Sequence, residues 1–423
     1  MSRQVTAVVV TWNSRKLMPQ LVRTLDALRP VLAGAVISDN ASTDGTPDLV
    51  RSQLPWVLLA ENPVNGGFGY GCNRGVDLAD SPFVLFLNAD ARLLPGDLES
   101  LEKRLASSPG TAAVQPLIRL WDWPMVTLSA GVAMTRMGEG YDMDFMRFQP
   151  FPDRSTVEVP AVTAAVSLFR RSALERVSGF DEGIFMYFED LDLCLRLREA
   201  GFGFLLDPSC TAEHMLGSSS SRSSALEWEL ESSAVISRRF LGGPRCKLPA
   251  AWKRREFRTR LALLRRGRGI GWRVRAVRSA RRRELDHMKL AGEDLSFMVF
   301  PRPMREPGIR PPSLPADPLD REGMILRGPG WDLLGVASCG FGCLSLPGRS
   351  GTLELIFRRV GPPGSVALWL DGGMAARKLL SGPETSQLEV QVHDDVTRAY
   401  LVPDRREMGV TLESCRLIHD PRQ

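Results

Sequence analysis

Short apolar runs alternate with helix-like segments from Val5 to about Leu216, and this alternation constrains the fold more than any other feature of the chain. Continuous apolar runs are typical of parallel strands that are buried on both faces. We predict strands at residues 5–11, 35–37, 57–59 and 83–87, and helices that include residues 14–28, 72–78 and 96–105. The pattern therefore predicts a doubly wound α/β sheet with helices on both faces.

The remaining sequence changes character twice, which divides the 423 residues into four predicted regions. Residues 1–220 form the α/β domain, and a Ser-rich stretch marks its end. Residues 221–300 are predicted to be helical and Arg-rich, and residues 301–318 form a Pro-rich linker. Residues 319–423 contain short alternating runs separated by Gly and Pro turns, which predicts an all-β sandwich.

The net charge of +5 conceals a strongly basic segment. Between Ile236 and Arg283 there are 18 Lys and Arg residues and a single acid, Glu256, so the rest of the chain has a net negative charge. Aromatic and aliphatic residues interleave with these bases, which suits an amphipathic helix on an anionic membrane surface. A solvated helical face explains the segment equally well. Nucleic acid is a less favoured partner because no recognised binding module accompanies the charge.

The sequence also excludes several protein classes. No run approaches the roughly 20 apolar residues that a membrane-spanning helix needs. The residues before Val5 are too few for a signal peptide, so we expect a cytoplasmic protein, either free or peripheral at the inner face of the plasma membrane. The seven cysteines are scattered without a Cys-x-x-Cys pair, which disfavours a zinc ribbon and a disulfide framework.

Polar clusters follow three of the predicted strands. Residues 11–13 end the first strand, Asp39 ends the second, and residues 88–90 end the fourth. In doubly wound sheets ligands bind at the carboxyl ends of strands, so these clusters predict a nucleotide site. Asp90 is a candidate ligand for Mg²⁺ or Mn²⁺ on a diphosphate, because hard cations prefer carboxylate oxygens. The alternatives are a turn or capping role for Asp39 and a solvated strand-end carboxylate for Asp90.

A second acidic group lies in the segment Phe185–Arg196, where three acids stand among aromatic and aliphatic residues. Glu189 and Asp190 are candidate general bases, because a carboxylate in a partly dry pocket can accept a proton from a hydroxyl nucleophile. We interpret Asp192 as a helix N-terminal acid that faces away from Asp190. His214 follows as a candidate ligand, with a structural role as the alternative. Together these features indicate group transfer from a phosphorylated donor.

These stretches, in this order, closely resemble glycosyltransferase family 2, and within it the bacterial rhamnosyltransferase-like enzymes. The resemblance covers residues 5 to about 240, roughly half the chain. The matching stretches are residues 8–14, 38–46, 65–69, 73–75, 87–90, 179–182 and 188–193, and His214 with residues 217–219.

The resemblance implies a GT-A fold and inversion at the anomeric carbon of the sugar. It implies that Asp39 holds the nucleotide base, and that the donor also contacts Thr11, Asn13, Asn65, Asn73 and Asn88. It further implies that Asp190 is the general base with Glu189 beside it. Asp90 would bind the metal, and His214 would be a further metal or phosphate contact. The usual Asp-x-Asp of the family is here Asn88-x-Asp90, which weakens the case for metal binding.

The expected function is transfer of a sugar, such as rhamnose or another deoxyhexose, from a nucleoside-diphosphate donor to a growing cell-surface glycan. The expected acceptor is a glycan or a lipid-linked oligosaccharide. The appended β-sandwich also resembles domains of polysaccharide glycosyltransferases, and either glycan binding or packing would explain it. One alternative is a non-catalytic glycan-binding scaffold. The other is a sugar nucleotidyltransferase, although the first loop lacks the basic, Gly-rich character that a triphosphate requires.

Overall fold

The computed structural model describes residues 3–134, 138, 140–145, 147–149, 155–215, 222–240, 326–327, 342–347, 350–360, 364–371, 373–380, 385–393, 395–403 and 409–418. Strands and helices alternate in its first half, as the apolar runs predict. The strands are β1 (Val5–Thr11), β2 (Gly34–Asp39), β3 (Leu58–Glu61), β4 (Phe83–Leu87), β5 (Ala91–Leu93), β6 (Thr111–Leu120), β7 (Trp123–Ser129), β8 (Val132–Met134), β9 (Gly140–Asp142), β10 (Arg147–Phe148), β11 (Val157–Glu158), β12 (Val166–Arg170) and β13 (Gly203–His214). The helices are α1 (Met18–Leu28), α2 (Thr46–Gln53), α3 (Phe68–Asp77), α4 (Pro95–Ala106), α5 (Arg171–Arg176), α6 (Glu189–Glu199) and α7 (Arg222–Phe240).

The main sheet has the strand order β3-β2-β1-β4-β12-β6-β7-β10. Strands β1 to β4 are mutually parallel where they pair, as the buried apolar runs predict. Beyond β4 the sheet becomes mixed, because β12 runs antiparallel to both β4 and β6. The chain moves from β1 to one side for β2 and β3, and returns to the other side for β4. Such a reversal of strand order opens a ligand crevice at the carboxyl ends of the strands.

Helices cover both faces of this sheet and create two hydrophobic cores. Val5, Ala7 and Val9 point into a core with α1, α2 and α4, whereas Val8 points into a second core with α3, α5 and α6. This division follows from the two-residue period of a strand, which sends successive side chains to opposite faces. The α/β fold class is therefore confirmed as a three-layer arrangement.

The C-terminal region is all-β, in agreement with the sequence pattern. Its strands are β14 (Leu326–Arg327), β15 (Gly342–Ser345), β16 (Gly351–Val360), β17 (Gly364–Leu370), β18 (Gly373–Leu380), β19 (Thr385–Val392), β20 (Arg398–Pro403) and β21 (Gly409–Ile418). They form a sheet β14-β15-β20-β17-β18 and a sheet β19-β16-β21. Side chains from both sheets share one core, which includes Leu355 and Leu368. An appended β region is thus present.

An aromatic cluster joins the β region to the edge of the main sheet. Tyr400 is fully buried, with its ring centroid 5.9 Å from that of Trp123 and 5.3 Å from that of Phe148. Trp369 also packs on Phe148, at 5.7 Å. Phe148 lies on β10, so the β region contacts the part of the chain that follows β9. Edge-to-face aromatic pairs of this kind strengthen an interface beyond the area that they bury.

Two predicted regions fall largely outside the described residues. The Pro-rich linker at residues 301–318 lies there, and so does the predicted helical, Arg-rich region 221–300 apart from residues 222–240, which form α7. Within the described part of the chain, no helix combines the length and apolar character that crossing a membrane requires.

Candidate active site

Asp39 organises the first part of the crevice. It ends β2 directly beside Thr11 at the end of β1, and Thr11 Oγ1 donates a hydrogen bond of 2.8 Å to Asp39 Oδ1. Ser42 donates to both carboxylate oxygens, through its Oγ at 2.7 Å and its backbone N–H at 2.8 Å. Asp39 is only 1% exposed, so these donors offset the loss of water around the charge. The structure therefore holds Thr11 and Asp39 together in a fixed geometry.

Two of the predicted donor contacts, Asn13 and Asn65, fix the loops around Asp39. Asn13 Oδ1 accepts the Thr43 N–H at 2.9 Å, and Asn65 Oδ1 accepts the Gly67 N–H at 3.1 Å. Asn40, which was not among the predicted donor contacts, donates from Nδ2 to the Gly67 carbonyl at 2.9 Å. The strand end and the glycine-rich loop are thereby linked through amide side chains.

Asn73 lies farther along α3, and its amide contacts the segment that leads toward α6. It accepts the Phe180 N–H at 2.8 Å and donates to the Phe180 carbonyl at 3.0 Å. Its Nδ2 also lies 3.1 Å from Glu182 Oε1. A side chain with both polar atoms engaged in this way is a structural clamp, and a contact with the donor would compete with these bonds.

Asp90 and His214 meet although 124 residues separate them in sequence. His214 is the last residue of β13 and pairs with Ala91 of β5, which places it beside the turn at the end of β4. His214 Nε2 lies 3.0 Å from Asp90 Oδ1 and 3.3 Å from Asn88 Nδ2. The Asp90 side chain is 6% exposed and that of His214 is 20% exposed, so the pair is partly dry.

This pair has the properties of a partial cation site. Two neighbouring ligands about 2.1 Å from an octahedral Mg²⁺ lie about 3.0 Å apart, close to the Asp90–His214 separation. Among the described residues, no group of three or more His, Cys, Asp or Glu side chains is placed to hold a metal ion. Mg²⁺ commonly binds through one or two carboxylates together with substrate phosphates and water, so Asp90 is the ligand of this pair that suits it. The residues therefore fit an ion that a diphosphate helps to hold.

Asp190 lies at the start of α6, near the strand end that carries Asn88. Its Oδ2 accepts the Ala164 N–H at 3.2 Å and its Oδ1 accepts the Leu191 N–H at 2.8 Å. The neighbouring residue, Ala165, accepts the Asn88 N–H at 2.8 Å. The segment 164–165 thus bridges the two acidic elements that the sequence identified separately.

Burial changes the acid–base properties of both acids at this helix start. Burial raises the pKa of Asp190, although hydrogen bonds from Ala164, Thr163 and Leu191 oppose that rise. Burial, followed by repulsion from Asp190, raises the pKa of Glu189 well above its usual value. Glu189 Oε2 is buried and has no hydrogen-bond partner among the described residues. Glu189 therefore stays protonated to a much higher pH than an exposed glutamate.

Replacing Glu189 by Gln should stabilise the protein near pH 8. In the unfolded chain Glu189 loses its proton near its usual pKa of 4.5, whereas in the folded protein it keeps the proton to a higher pH. The contribution of this group to stability therefore falls as the pH rises from 4.5 to the raised pKa. Glutamine removes that penalty because it carries no charge in either state. Urea unfolding at pH 8 should give a higher midpoint for Glu189→Gln than for wild type. The difference should vanish near pH 4, and an equal difference at both pH values would contradict this account.

The residues before α6 adopt an unusual backbone conformation. Tyr187 and Phe188 both have positive φ, at 66° and 65°, which bulky residues rarely adopt. Gly67 permits the close approach that holds them, because a Cβ there would lie 2.2 Å from the Phe185 carbonyl oxygen. The Trp228 ring of α7 packs on Phe185 at 5.1 Å. Strain held in this way is common at functional sites.

Asp192 has a larger structural role than the helix N-terminal interpretation gives it. It is fully buried, Arg196 Nε donates to its Oδ2 at 2.8 Å, and Arg239 Nη1 donates to its Oδ1. Arg239 also donates to Asp181 Oδ2 at 2.8 Å. Arg239 belongs to the basic segment, so part of that segment is embedded in the fold by ion pairs.

One further carboxylate lies near the site, in a segment for which the sequence predicted neither an element nor a site residue. Asp142 ends β9, within electrostatic range of Asp190 and His214. It stands in a stretch without helical or strand periodicity. The only local signal was an acidic residue between aromatic and aliphatic neighbours, which is too common to identify a site.

The chain is similar in sequence to one protein family and to several characterised proteins. The model for the family "Glycosyl transferase family 2" matches residues 6–177. An N-acetylglucosaminyl-diphospho-decaprenol L-rhamnosyltransferase of Mycobacterium tuberculosis is 32% identical over 233 residues, which are 49% of this chain and 75% of that protein. Rhamnosyltransferase WbbL of Escherichia coli is 30% identical over 209 residues, covering 45% of this chain and 78% of that protein. Among solved structures, a mannosyltransferase from Pyrobaculum calidifontis, in complex with GDP-Man and Mn²⁺, is 21% identical, with a TM-score of 0.41 over 55% of this chain and 62% of that one.

Proposed function

Because the chain belongs to glycosyl transferase family 2, we propose that it transfers a deoxyhexose, with rhamnose the first candidate, from a nucleoside-diphosphate donor with inversion. That the protein is a glycosyltransferase follows from the family and from its relatives. The sugar and the stereochemistry belong to the proposal. Two of its relatives are named as rhamnosyltransferases, which supports this choice of sugar.

The single observation that carries the proposal is the short link between two acidic centres, since Ala164 donates to Asp190 and Ala165 accepts the N–H of Asn88, which lies beside His214. Asp90 and His214 form one centre, and Asp190 forms the other. Inversion requires the leaving group and the base on opposite sides of the anomeric carbon. One centre suits the diphosphate and the other suits the acceptor hydroxyl.

In the proposed reaction, Asp190 accepts the proton of the attacking hydroxyl. The acceptor oxygen forms a bond to the anomeric carbon as the bond to the diphosphate oxygen breaks, and the nucleoside diphosphate leaves. The backbone N–H groups of Ala164 and Leu191 orient the Asp190 carboxylate. The raised pKa of Asp190 makes it a stronger base than an exposed aspartate. Glu189, protonated beside it, adds no second negative charge.

Asp90 and His214 are the proposed ligands of a divalent cation, Mg²⁺ or Mn²⁺. Such an ion would neutralise charge on the departing diphosphate. The buried Asp39, with Thr11 and the Asn13 loop, is the proposed site of the nucleotide, because it lies at the same edge of the sheet.

The proposed acceptor is a lipid-linked saccharide. The name of the mycobacterial relative includes a decaprenol diphosphate, and the basic segment of this chain suits an anionic membrane surface. Sedimentation with anionic vesicles at low and high salt tests the membrane part of this proposal. The scaffold and nucleotidyltransferase alternatives are disfavoured, because the relatives are named as glycosyltransferases.

A panel of nucleotide sugars tests the proposed function. With Mg²⁺ or Mn²⁺ and a polyprenyl-diphosphate saccharide as acceptor, the enzyme should release nucleoside diphosphate from one donor, with a deoxyhexose donor the expected one. A chelator should lower this rate at least tenfold, and re-addition of the ion should restore it. Asp90→Asn should shift the metal requirement to higher concentration, since it removes one carboxylate ligand.

The matched control is Asp80→Asn, because Asp80 is an exposed carboxylate on the same domain. Release that is unaffected by the chelator would contradict the metal part alone. Wild-type protein that turns over no donor in the presence of acceptor would contradict the proposed activity.

A further inference from the structure

Asp142 is a carboxylate near the proposed active site that has no role in the proposed reaction. It ends β9 and pairs with Val132 of β8. The hairpin formed by β8 and β9 is anchored at its base, where Met143 N–H donates to the Gly131 carbonyl at 2.8 Å and Ala130 N–H donates to the Met143 carbonyl at 2.9 Å. These bonds set the position of Asp142 independently of any ligand.

The hairpin lies directly on the start of α6. Gly140 is so close to this helix start that a Cβ there would lie 2.8 Å from Cδ1 of Phe188 and 3.3 Å from Cδ2 of Leu191. Phe188 and Leu191 flank Glu189 and Asp190. Asp142 is two residues beyond Gly140, on a rigid support beside the proposed base.

Buried polar side chains connect Asp142 to Asp190. Asp142 hydrogen-bonds Ser129, and Gln115 Nε2 donates to Ser129 Oγ at 3.1 Å. Gln115 Oε1 accepts the Thr163 N–H at 2.8 Å, and the Thr163 side chain hydrogen-bonds Asp190. Gln115 and Ser129 are at most 2% exposed. Such a satisfied, buried network holds the two carboxylates in a fixed relation.

Asp142 lies within electrostatic range of both centres. Burial raises its pKa to about 6, the Ser129 hydrogen bond and His214 oppose the rise, and repulsion from Asp190 adds to it. Above about pH 6 the side chain is a carboxylate, which only accepts hydrogen bonds. A sugar in transfer must lie between the diphosphate and the base. Because Asp142 belongs to the buried network that holds Asp190 and its hairpin packs on the start of α6, it is placed to reach that sugar.

We propose that Asp142 is a specificity-determining residue that accepts hydrogen bonds from hydroxyl groups of the transferred sugar. This inference rests on the proposed function, because it needs a sugar between the Asp90–His214 pair and Asp190. A carboxylate that binds a hydroxyl favours donors carrying that hydroxyl, and it is left unpaired by a donor that lacks it. Asp142 would thus help to choose the donor sugar without entering the bond-forming step.

The test compares Asp142→Asn with Asp144→Asn, using the donor that wild type turns over. Asp144 lies on the same segment, forms an ion pair with the exposed Arg147, and adopts a φ of 55° that Asn also tolerates. Asp142→Asn should raise the donor KM about tenfold to a hundredfold, while inhibition by the free nucleoside diphosphate changes less than twofold. Wild type should prefer the donor to its deoxy analogues, and the Asp142→Asn variant should largely lose that preference. Asp144→Asn should behave as wild type in every assay.

Each other result has a distinct meaning. Wild type without turnover would overturn the proposed function before this inference is reached. With an active wild type, an unchanged donor KM in Asp142→Asn would overturn the inference. Equally weakened binding of the donor and of the free nucleoside diphosphate would also overturn it. A lower kcat for every donor with an unchanged KM would overturn it as well. If the unfolding temperature of Asp142→Asn is lower than that of wild type, Asp142→Ser serves as the second variant. It too should raise the donor KM and leave inhibition by the nucleoside diphosphate unchanged.

Discussion

Asp190→Asn should lower the rate of sugar transfer by about 10²–10⁴-fold, the range typical for loss of a general base. Asparagine keeps the size of the side chain and can still accept the Ala164 N–H, but it cannot take the proton of the acceptor hydroxyl. Donor affinity should change little, because the nucleotide and diphosphate are expected at other residues. Initial rates of nucleoside-diphosphate release at saturating donor and acceptor measure the effect.

The pH profile gives an independent measure of the same role. Burial raises the pKa of Asp190, so the wild-type rate should fall on acidification at a higher pH than an exposed aspartate would allow. Below that pKa the carboxyl is protonated and cannot act as a base. The acidic limb should be absent from the residual rate of Asp190→Asn. Glu175→Gln, which changes an exposed carboxylate in an i,i+4 ion pair, is the matched control. A rate for Asp190→Asn within tenfold of wild type would remove Asp190 as the base.

Asp192→Ala should destabilise the folded protein by about 3–5 kcal/mol, the range for removal of one partner from a buried ion pair. Asp192 is fully buried, and the substitution leaves the partly buried guanidinium groups of Arg196 and Arg239 without their common carboxylate. Arg239 keeps Asp181, but the link between α6 and α7 is weakened. Urea unfolding, fitted for the free energy of unfolding, measures the loss.

An exposed ion pair provides the comparison for that experiment. Asp48 pairs with Arg51, and their side chains are 84% and 50% exposed. Asp48→Ala should change the free energy of unfolding by less than about 1 kcal/mol, because water already solvates both charges. A loss of similar size in both variants would show that the ion pairs of Asp192 do not stabilise the contact between α6 and α7.

The local patterns were sufficient for much of the architecture. The apolar run at residues 5–11 is β1, the run at 83–87 is β4, and the alternating run at 365–370 lies within β17. The change from parallel to antiparallel pairing beyond β4 was not predictable, because a buried strand has the same apolar composition in either direction. The sequence also brought Asp90 and His214 into one candidate site, and the structure places them 3.0 Å apart.

Other side chains show where sequence reasoning ends. Asn73 is predicted at the donor, and the sequence does not indicate that both its polar atoms engage Phe180. Asp192 does lie in the first turn of α6, but the sequence does not indicate that it is also the centre of a buried ion-pair cluster. The sequence does not indicate Asp142, because its connection to Asp190 runs through residues on β6, β7 and the segment before β12.

The sequence by itself determined strands β1 to β4, the helices between them, the acidic strand ends and the family, because burial periodicity and short motifs are properties of neighbouring residues. Only the tertiary structure decided which polar group each side chain contacts. Those partners depend on strand register and on the packing of segments far apart in the chain, as for the Gly67 backbone against Phe185 and the β8–β9 hairpin against α6. The pKa values of Glu189, Asp190 and Asp142 follow from the same packing, since burial is the largest cause of each shift.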